Sequence, residues 1–232
     1  MIYSRVAANK LKTTEHIGTH LDAPYHFHEH SWQMQQIPLD HLIGPGVIVD
    51  VKTKVANNPD YRLTQSDLEA WENNYGKIPD GAIVLMNSGW HDKHPDKKLI
   101  WGSQDPLNTS SLHYPGWHED AVAWLASHRS IHIIGVDSPS LDYGQSATFP
   151  VHVLSSKENI CGLENVAYLD KIPANGSIIS AAAVKNVGGT GFPARVYAMI
   201  PENGAFANSS DKTQLMFLCM LISSLSALIL VY

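Results

Sequence analysis

The amino-acid sequence predicts a single α/β domain built on a central, partly buried β-sheet. Of its 232 residues, 44% are hydrophobic and 16% are charged, which is typical of a folded globular chain rather than a disordered one. Short apolar runs rich in β-branched residues recur along the chain, and such runs are typical of buried strands. These predicted strands are residues 47–51, 82–86, 131–136, 177–184 and 194–200. Helical patterns are few, so we expect a small number of helices to flank the sheet.

The segments between the strands contain two predicted helices and one long loop. Thr64 is the predicted N-cap of the first helix, because its hydroxyl can accept a hydrogen bond from the first turn. Apolar side chains recur with helical spacing between His118 and His128 and predict the second helix. Residues 91–117 carry many polar residues, prolines and glycines, and a loop of this length is typically functional or mobile. Residues 11–30 begin as a strand-like stretch and then become rich in histidine.

Charge and cysteine content exclude several classes of function. The net charge is −6 with histidine neutral, and no run is rich in lysine and arginine. The electrostatic basis for nucleic-acid binding is therefore missing, and we expect no nucleic-acid partner. Cys161 and Cys219 are the only cysteines, too few for a disulfide framework or a cysteine-based zinc site.

The C-terminal end differs in composition from the rest of the chain. We predict a folded domain over residues 1–202, a polar spacer over residues 203–214 and an apolar tail over residues 215–232. The tail, LMFLCMLISSLSALILVY, has 18 residues without a charge, which is enough for a membrane span. It predicts membrane association, either as the signal for a GPI anchor or as a tail anchor. The N-terminus has no apolar run of the kind found in a signal peptide, so without the tail we expect a cytoplasmic protein.

The strongest chemical signal is a histidine-rich segment near the N-terminus. His16, His20, Asp22 and His26 follow one another at spacings of four, two and four residues. Imidazole and carboxylate together bind first-row divalent metals, and this mixture suits zinc or manganese. Two histidines and one aspartate leave positions open for water and substrate, as in catalytic sites. The alternative is a polar loop with surplus histidines, since two more follow directly.

The same segment resembles a known family signature. His16-Ile-Gly-Thr-His20-Leu-Asp22-Ala-Pro-Tyr-His26 resembles the HxGTHxDxPxH signature of the cyclase family, which includes kynurenine formamidase (arylformamidase) and isatin hydrolase. The resemblance continues from about residue 11 to about residue 201, through segments at residues 82–90, 135–142, 149–152 and 163–169. It implies a mixed β-sheet of the swivelling β/β/α type. We expect this sheet to lack the N-terminal strand that precedes the signature in the family.

The resemblance also implies roles for individual residues. One metal ion is implied at His16, His20 and Asp22. A second ion is implied at Asp22, His152 and Glu164. Taken alone, His152 would be a surface histidine near a strand and Glu164 a solvated carboxylate. The final histidine of the signature, His26, is implied as the acid/base residue. The implied cofactor is one or two divalent ions, zinc in the first place and manganese as the alternative.

Two further sets of residues are weaker candidates. One set directly follows a predicted strand: Asp137, Ser138 and Ser140. The ends of strands in α/β sheets often bind ligands, but a turn that ends the strand explains these residues equally well. The other set could line an aromatic substrate pocket, although core packing is the more frequent role of tryptophan: Trp32, Trp90 and Trp101.

The function implied by the resemblance is metal-dependent hydrolysis of an amide. The leading expectation is an arylformamidase that converts N-formyl-L-kynurenine to L-kynurenine and formate, in tryptophan catabolism. One alternative is an isatin hydrolase-like enzyme that opens a cyclic amide. The other is a shortened homologue with impaired catalysis. The expected partners are a small aromatic amide as substrate, a membrane through the tail, and further copies of the chain in a dimer or larger homo-oligomer.

Overall fold

The computed structural model describes residues 6–201, which fold around a barrel of β-strands. The strands are β1 (His20–Asp22), β2 (Ile43–Asp50), β3 (Arg62–Leu63), β4 (Ala82–Asn87), β5 (Gly116–Trp117), β6 (Ile131–Val136), β7 (Cys161–Glu164), β8 (Ser177–Ala183) and β9 (Gly191–Met199). The helices are α1 (Lys52–Asn57), α2 (Gln65–Tyr75), α3 (Lys97–Trp101), α4 (Glu119–His128) and α5 (Pro150–Lys157). Short 3-10 turns connect several of these elements.

Seven of the strands close into a barrel in the order β1-β7-β6-β4-β2-β8-β9, and β9 pairs with β1 to complete it. The four strands β2, β4, β6 and β7 run parallel to their neighbours in this group. The pairs β1–β7, β1–β9, β2–β8 and β8–β9 are antiparallel. The sheet is therefore mixed, and the predicted α/β fold class is confirmed. The remaining strands, β3 and β5, form a separate parallel pair.

The side chains of the parallel strands are buried on both faces of the sheet. In β4, Ile83 and Leu85 point into the barrel, where they pack with other apolar side chains such as Leu163. Val84 and Met86 alternate with them and belong to a second cluster, which contains side chains of α2 and α4. A parallel strand covered on both faces needs a continuous apolar run, and this is the pattern that the sequence shows.

Most predicted elements agree with the structure, and the differences have physical causes. The strand predicted at residues 131–136 has those bounds. Thr64 does begin α2, with Asp67 as the partner in a reciprocal capping box. The long predicted loop contains α3, whose five residues are too few to show a helical period. The prediction that residues 11–30 begin as a strand is wrong for residues 11–19, because hydrogen bonding to a neighbouring strand begins only at His20.

The predicted membrane segment falls on residues that the structure does not describe. Both the spacer, residues 203–214, and the apolar tail, residues 215–232, lie outside the described range of 6–201. Within that range, no helix combines the length and the apolar character that crossing a bilayer requires.

Candidate functional site

The short strand β1 carries two of the predicted ligands into the interior. Side chains alternate along a strand, so His20 and Asp22 share one face while Leu21 packs into the barrel core on the other. The antiparallel register places Glu164 of β7 directly opposite His20. All of these side chains are buried, so the barrel brings polar groups together where water has little access.

The carboxylate of Asp22 lies between several imidazole rings. Its Oδ1 atom is 2.6 Å from Nδ1 of His16 and 3.3 Å from Nε2 of His20. The Nε2 atom of His20 is also 3.3 Å from Oε2 of Glu164. Each of these groups offers a ligand atom to the same small volume, which is the arrangement that the signature predicts for a metal site.

His152 reaches this volume from the first turn of α5. Its Nε2 atom lies 3.0 Å from Oε1 of Glu164 and 3.6 Å from Oδ2 of Asp22. On the other side of the ring, Nδ1 lies 2.6 Å from Oδ2 of Asp142. Because an ionised carboxylate only accepts hydrogen bonds, Asp142 holds the proton of His152 on Nδ1. In the neutral ring the lone pair is therefore on Nε2 and faces the site, as a metal ligand requires.

Two buried atoms of the site lack a hydrogen-bond partner among the described residues. They are Nε2 of His20 and Oδ2 of Asp22. His20 donates through Nδ1 to the carbonyl oxygen of Gly18 at 2.9 Å, so in the neutral ring the lone pair is on Nε2. Buried polar atoms are costly when unpaired, so convergent lone pairs of this kind suit a cation. The donor set, nitrogen and carboxylate oxygen, fits a divalent first-row metal.

The potential ligand atoms that lie within 4.8 Å of one another fall into two sets. One set is His16, Asp22 and His26, and the other is His20, Asp22 and Glu164. Asp22 is common to both, as expected for a carboxylate between two sites. The grouping differs from the expected one in both sets: His26 takes the place of His20 beside His16 and Asp22, and His20 takes the place of His152 beside Asp22 and Glu164. The structure brings all six predicted residues together around one centre.

The protonation of the site reflects its high density of carboxylates. Burial opposes ionisation of Asp22, but contacts with His152, His16 and His20 outweigh it and hold the pKa well below its usual range. Burial likewise opposes protonation of His20, yet its contacts with Asp22 and Glu164 raise the pKa to about 10. The pKa of His152 is raised for the same reason, against burial, chiefly by Asp142. The site therefore favours positive charge, which protons or a metal cation can supply.

His26 differs from the other histidines in its surroundings. Its ring stacks on that of His16, with centroids 3.9 Å apart. The pKa of His26 is lowered to about 4. Burial is the largest cause, the neighbouring His16 and His152 lower the pKa as well, and the negative charge of Asp22 partly opposes them. No hydrogen bond joins the His26 ring to another residue in the range 6–201, and the ring lines the adjoining cavity. It can therefore exchange a proton with a molecule in that cavity.

A cavity of about 550 Å³ opens onto the ligand atoms. Aromatic side chains form much of its wall: Phe27, Trp101, Tyr114 and Phe149. Flat apolar walls with polar groups at one end suit a small aromatic molecule.

Of the weaker candidates, only some lie at this cavity. Ser140 and Trp101 line it. Asp137 instead accepts hydrogen bonds from the backbone of Ser88 and Trp90, which favours the strand-ending turn. Trp90 packs in the core, and its indole donates to the carbonyl oxygen of Ile100 at 2.8 Å. Trp32 packs against the core cluster inside the barrel.

The sequence did not single out several residues that the structure places at the site. Asp142 lies in a segment that resembles the family, but its contact with His152 depends on how α5 packs. Phe27 directly follows the signature, where an aromatic residue beside a metal motif could have indicated a pocket wall. Glu15 and Thr190 are far apart in the chain and meet beside His16.

Comparison with known proteins agrees with this geometry. Residues 1–143 match a family described as "Putative cyclase". An isatin hydrolase of Roseibium aggregatum is 33% identical over 204 residues, which cover 84% of this chain and 76% of that protein. A kynurenine formamidase of Salinibacter ruber is 26% identical over 194 residues, covering 83% of this chain and 79% of that one.

Solved structures show the same relationship. A crystal structure of an isatin hydrolase bound to the product analogue thioisatinate superposes with a TM-score of 0.77 at 33% identity, over 82% of this chain and 74% of that one. Isatin hydrolase A from Ralstonia solanacearum gives a TM-score of 0.75 at 34% identity, over 81% of this chain and 73% of that one. With the family match and these relatives, the resemblance at residues 16–26 is confirmed: this chain belongs to the cyclase family.

Proposed function

We propose that this chain is a metal-dependent hydrolase that cleaves the C–N bond of an aryl amide. One observation carries the proposal. Nε2 of His20 and Oδ2 of Asp22 are buried without a hydrogen-bond partner among the described residues, and they belong to a cluster of predicted ligands that adjoins an aromatic-walled cavity. A cation binding site beside a flat apolar pocket suits hydrolysis of a small aromatic substrate.

The proposed ligands are those implied by the family resemblance. His16, His20 and Asp22 hold one ion, and Asp22, His152 and Glu164 hold a second ion where two are bound. Three observations support the assignment: the 2.6 Å distance from His16 to Asp22, the 3.0 Å distance from His152 to Glu164, and the presence of Asp22 in both sets of neighbouring ligand atoms. Zinc is the proposed ion and manganese the alternative, since both accept imidazole and carboxylate ligands. When bound, such an ion supplies Lewis-acid chemistry that polarises a carbonyl and acidifies water.

His26 is the proposed acid/base residue. It lines the cavity and has a ring free of other hydrogen bonds among the described residues, so its nitrogen can accept a proton from the attacking water. The hydroxyl joins the carbonyl carbon, the C–N bond breaks, and His26 returns the proton to the leaving amine nitrogen. The stack of His26 on His16 holds the imidazole beside the proposed ligands while it does so.

Substitution of His26 separates this role from that of a ligand. Because His26 also lies within ligand distance of His16 and Asp22, His26→Gln tests both possibilities. If His26 transfers a proton, the rate falls about 10²–10⁴-fold while metal content stays at the wild-type level. Loss of one equivalent of metal together with the rate would identify His26 as a ligand instead.

Two substrates fit the proposed reaction. N-formyl-L-kynurenine carries a formamide on an aromatic ring, and its hydrolysis gives L-kynurenine and formate. Isatin carries a cyclic amide fused to an aromatic ring, and hydrolysis opens that ring. The higher identity to an isatin hydrolase, 33% against 26% for a kynurenine formamidase, is the specific observation in favour of isatin.

Purified protein assayed with both substrates tests the proposal. We expect turnover of one substrate when zinc or manganese is present, loss of turnover after chelation, and recovery when the metal is restored. Turnover of neither substrate by metal-loaded protein would refute the proposal and favour the alternative of a homologue with impaired catalysis. Light scattering during gel filtration, in the same preparation, tests the expected homo-oligomer.

A further inference from the structure

Tyr114 is a buried tyrosine whose hydroxyl has no partner among the described residues. Only 6% of the residue is exposed, and it lines the aromatic-walled cavity. No hydrogen bond joins its hydroxyl to another residue in the range 6–201, yet this oxygen is not one of the fully enclosed polar atoms that lack a partner. The space that the hydroxyl reaches is therefore the cavity. Because a buried donor is costly when unpaired, a molecule that displaces water from the cavity must offer it an acceptor.

The packing around Tyr114 holds its phenol in place. The carbonyl oxygen of Tyr114 accepts from the backbone N–H of Gly144 at 3.0 Å. At Gly144 a Cβ atom would lie 2.7 Å from the carbonyl oxygen of Leu112, so the two segments are in direct contact. The Tyr114 ring belongs to a core cluster and lies edge-on to Trp101, with centroids 5.9 Å apart. The direction of the hydroxyl is therefore fixed before a ligand binds, as selective recognition requires.

Tyr114 differs from the other hydrogen-bonding side chains that line the cavity outside the proposed ligands and His26. Ser140 and Asn165 are half-buried, and His94 is exposed. Water can satisfy these three side chains whether or not a ligand is bound. The hydroxyl of Tyr114 is the buried one, so its hydrogen bond depends most on what fills the cavity.

The hydroxyl of Tyr114 is a donor close to the proposed ligands. Burial raises the pKa of Tyr114, and the negative charges of Glu164 and Asp142 raise it further. The phenol therefore keeps its proton at neutral pH. Glu164 is a proposed ligand and Asp142 contacts His152, so both charges lie at the ligand end of the cavity. A hydroxyl that feels both charges lies at the same end.

Both candidate substrates carry a second carbonyl next to the amide that is cleaved. In isatin and in N-formyl-L-kynurenine, a ketone is attached to the ring carbon beside the one that bears the nitrogen. The proposed metal ion polarises the carbonyl of the amide, which leaves the ketone oxygen in need of a donor from the protein. An oxygen so near the bond that breaks lies at the ligand end of the cavity, where Tyr114 provides a donor.

We propose that Tyr114 is a specificity-determining residue, whose hydroxyl donates a hydrogen bond to the ketone oxygen beside the amide that is cleaved. This inference rests on the proposed function and narrows its substrate class. The preferred substrates are aryl amides with a carbonyl group on the ring carbon next to the one that bears the amide nitrogen.

The first test compares substrates that differ only in this ketone. One pair is ortho-formamidoacetophenone and ortho-ethylformanilide, and the other is isatin and oxindole; in each pair a CH₂ group replaces the ketone. In Tyr114→Phe we expect kcat/KM for the ketone compounds to fall about 10-fold, the size of one neutral hydrogen bond. The compounds without the ketone should stay within about twofold of wild type. For a compound that is not turned over, its inhibition constant against the other member of the pair replaces kcat/KM.

The comparison between members of a pair removes two other effects of the substitution. A ketone also activates the neighbouring amide, but this effect is the same in wild type and in Tyr114→Phe. Phenylalanine keeps the ring that packs in the core, and circular dichroism verifies that the variant is folded. Tyr75→Phe removes a hydroxyl from an exposed tyrosine at the end of α2 and is the matched control, with no change expected for any compound.

The second test needs no turnover. Calorimetric titration measures the binding of ortho-aminoacetophenone and ortho-ethylaniline, two product-like amines that differ by the same ketone. Wild type is expected to bind the ketone about 10-fold more tightly, and Tyr114→Phe should bind both amines alike.

The outcomes separate this proposal from the proposed function. An equal fall in kcat/KM for both members of a pair would assign Tyr114 to packing or to the carbonyl that is cleaved, and overturns the proposal. Unchanged values for the ketone compounds in Tyr114→Phe overturn it as well. If metal-loaded wild type turns over no compound but binds the ketone amine more tightly through Tyr114, the proposed hydrolysis fails and the recognition role stands. Should Tyr114→Phe fail to fold, equal binding of the two amines by wild type still overturns the proposal.

Discussion

Asp142 offers the sharpest test of how the site is supported. Its buried carboxylate accepts hydrogen bonds from the backbone N–H groups of Val151 and His152, each at 3.1 Å, and from Nδ1 of His152 at 2.6 Å. It thus binds the N-terminal turn of α5 and orients a proposed ligand at the same time. The substitution Asp142→Asn keeps the size of the side chain and replaces one oxygen by an NH₂ group.

The expected magnitude follows from these contacts. The new NH₂ group cannot accept a hydrogen bond, so two bonds from His152 are lost where it replaces Oδ2 and the bond from the Val151 N–H is lost where it replaces Oδ1. Each contributes about 1.5–3 kcal/mol, and after relaxation of the helix terminus we expect unfolding to be easier by about 3 kcal/mol. Where the NH₂ group faces Nδ1, His152 can bond to the asparagine only by moving its proton to Nε2, which lies 3.0 Å from Glu164. The lone pair for the metal is then lost, so affinity should fall about 10–100-fold.

Two measurements check this expectation on one preparation. Urea denaturation of metal-free protein gives the change in unfolding free energy, and chelator competition gives the change in metal affinity. Asp80→Asn is the matched control, because Asp80 is exposed in a turn where asparagine is equally suitable. If Asp142→Asn binds metal within about twofold of wild type and unfolds at the same urea concentration, the assigned role of Asp142 is refuted.

Three more predictions concern stability. The pKa of Asp67 is lowered, against burial, mainly by the Lys54 ammonium, so its contribution is fully present above the unfolded pKa of about 3.9 and is lost as the pH falls from there through the lower pKa of the folded state. Asp67→Asn should therefore reduce the unfolding free energy at pH 7 by about 2 kcal/mol, with the difference from wild type beginning to shrink as the pH falls below about 4 in urea titrations. Leu85→Ala leaves a cavity inside the barrel and should cost about 3–4 kcal/mol by the same assay; a cost under about 1 kcal/mol would contradict the packing. Gly191→Ala would place Cβ 2.6 Å from the His16 ring, so calorimetry should show a lower Tm and chelator competition a weaker site.

The sequence predicted the strands well because their signal is local. Residues 131–136 are apolar and β-branched on both faces, and no partner strand needs to be known to recognise β6. The closing of the sheet into a barrel was not predicted. It depends on pairing of β1 with β9, which are separated by most of the chain and whose short or half-exposed segments carry no pattern that specifies a partner.

The site shows the same division between local and distant information. The segment from His16 to His26 is predictable because its histidines and aspartate are close together in sequence. His152 and Glu164 were identified only by resemblance to a family, since neither has a local signal of its own. Asp142 and Thr190 contact His152 and His16 through hydrogen bonds that form only on folding, and aspartate and threonine are too common in turns to be recognised as site residues from the sequence.

The position of β1 has a consequence for when the site first exists. This three-residue strand closes the barrel between β7 and β9 and also bears His20 and Asp22. Its partner strands β7 and β9 are synthesised long after it. The histidines near β1 therefore leave the ribosome before the other residues of the site exist. We expect the nascent polypeptide to capture metal poorly until β9 has emerged. An ion held by residues of β1 and β7 would stabilise the pairing of these two strands, and with it the closed barrel.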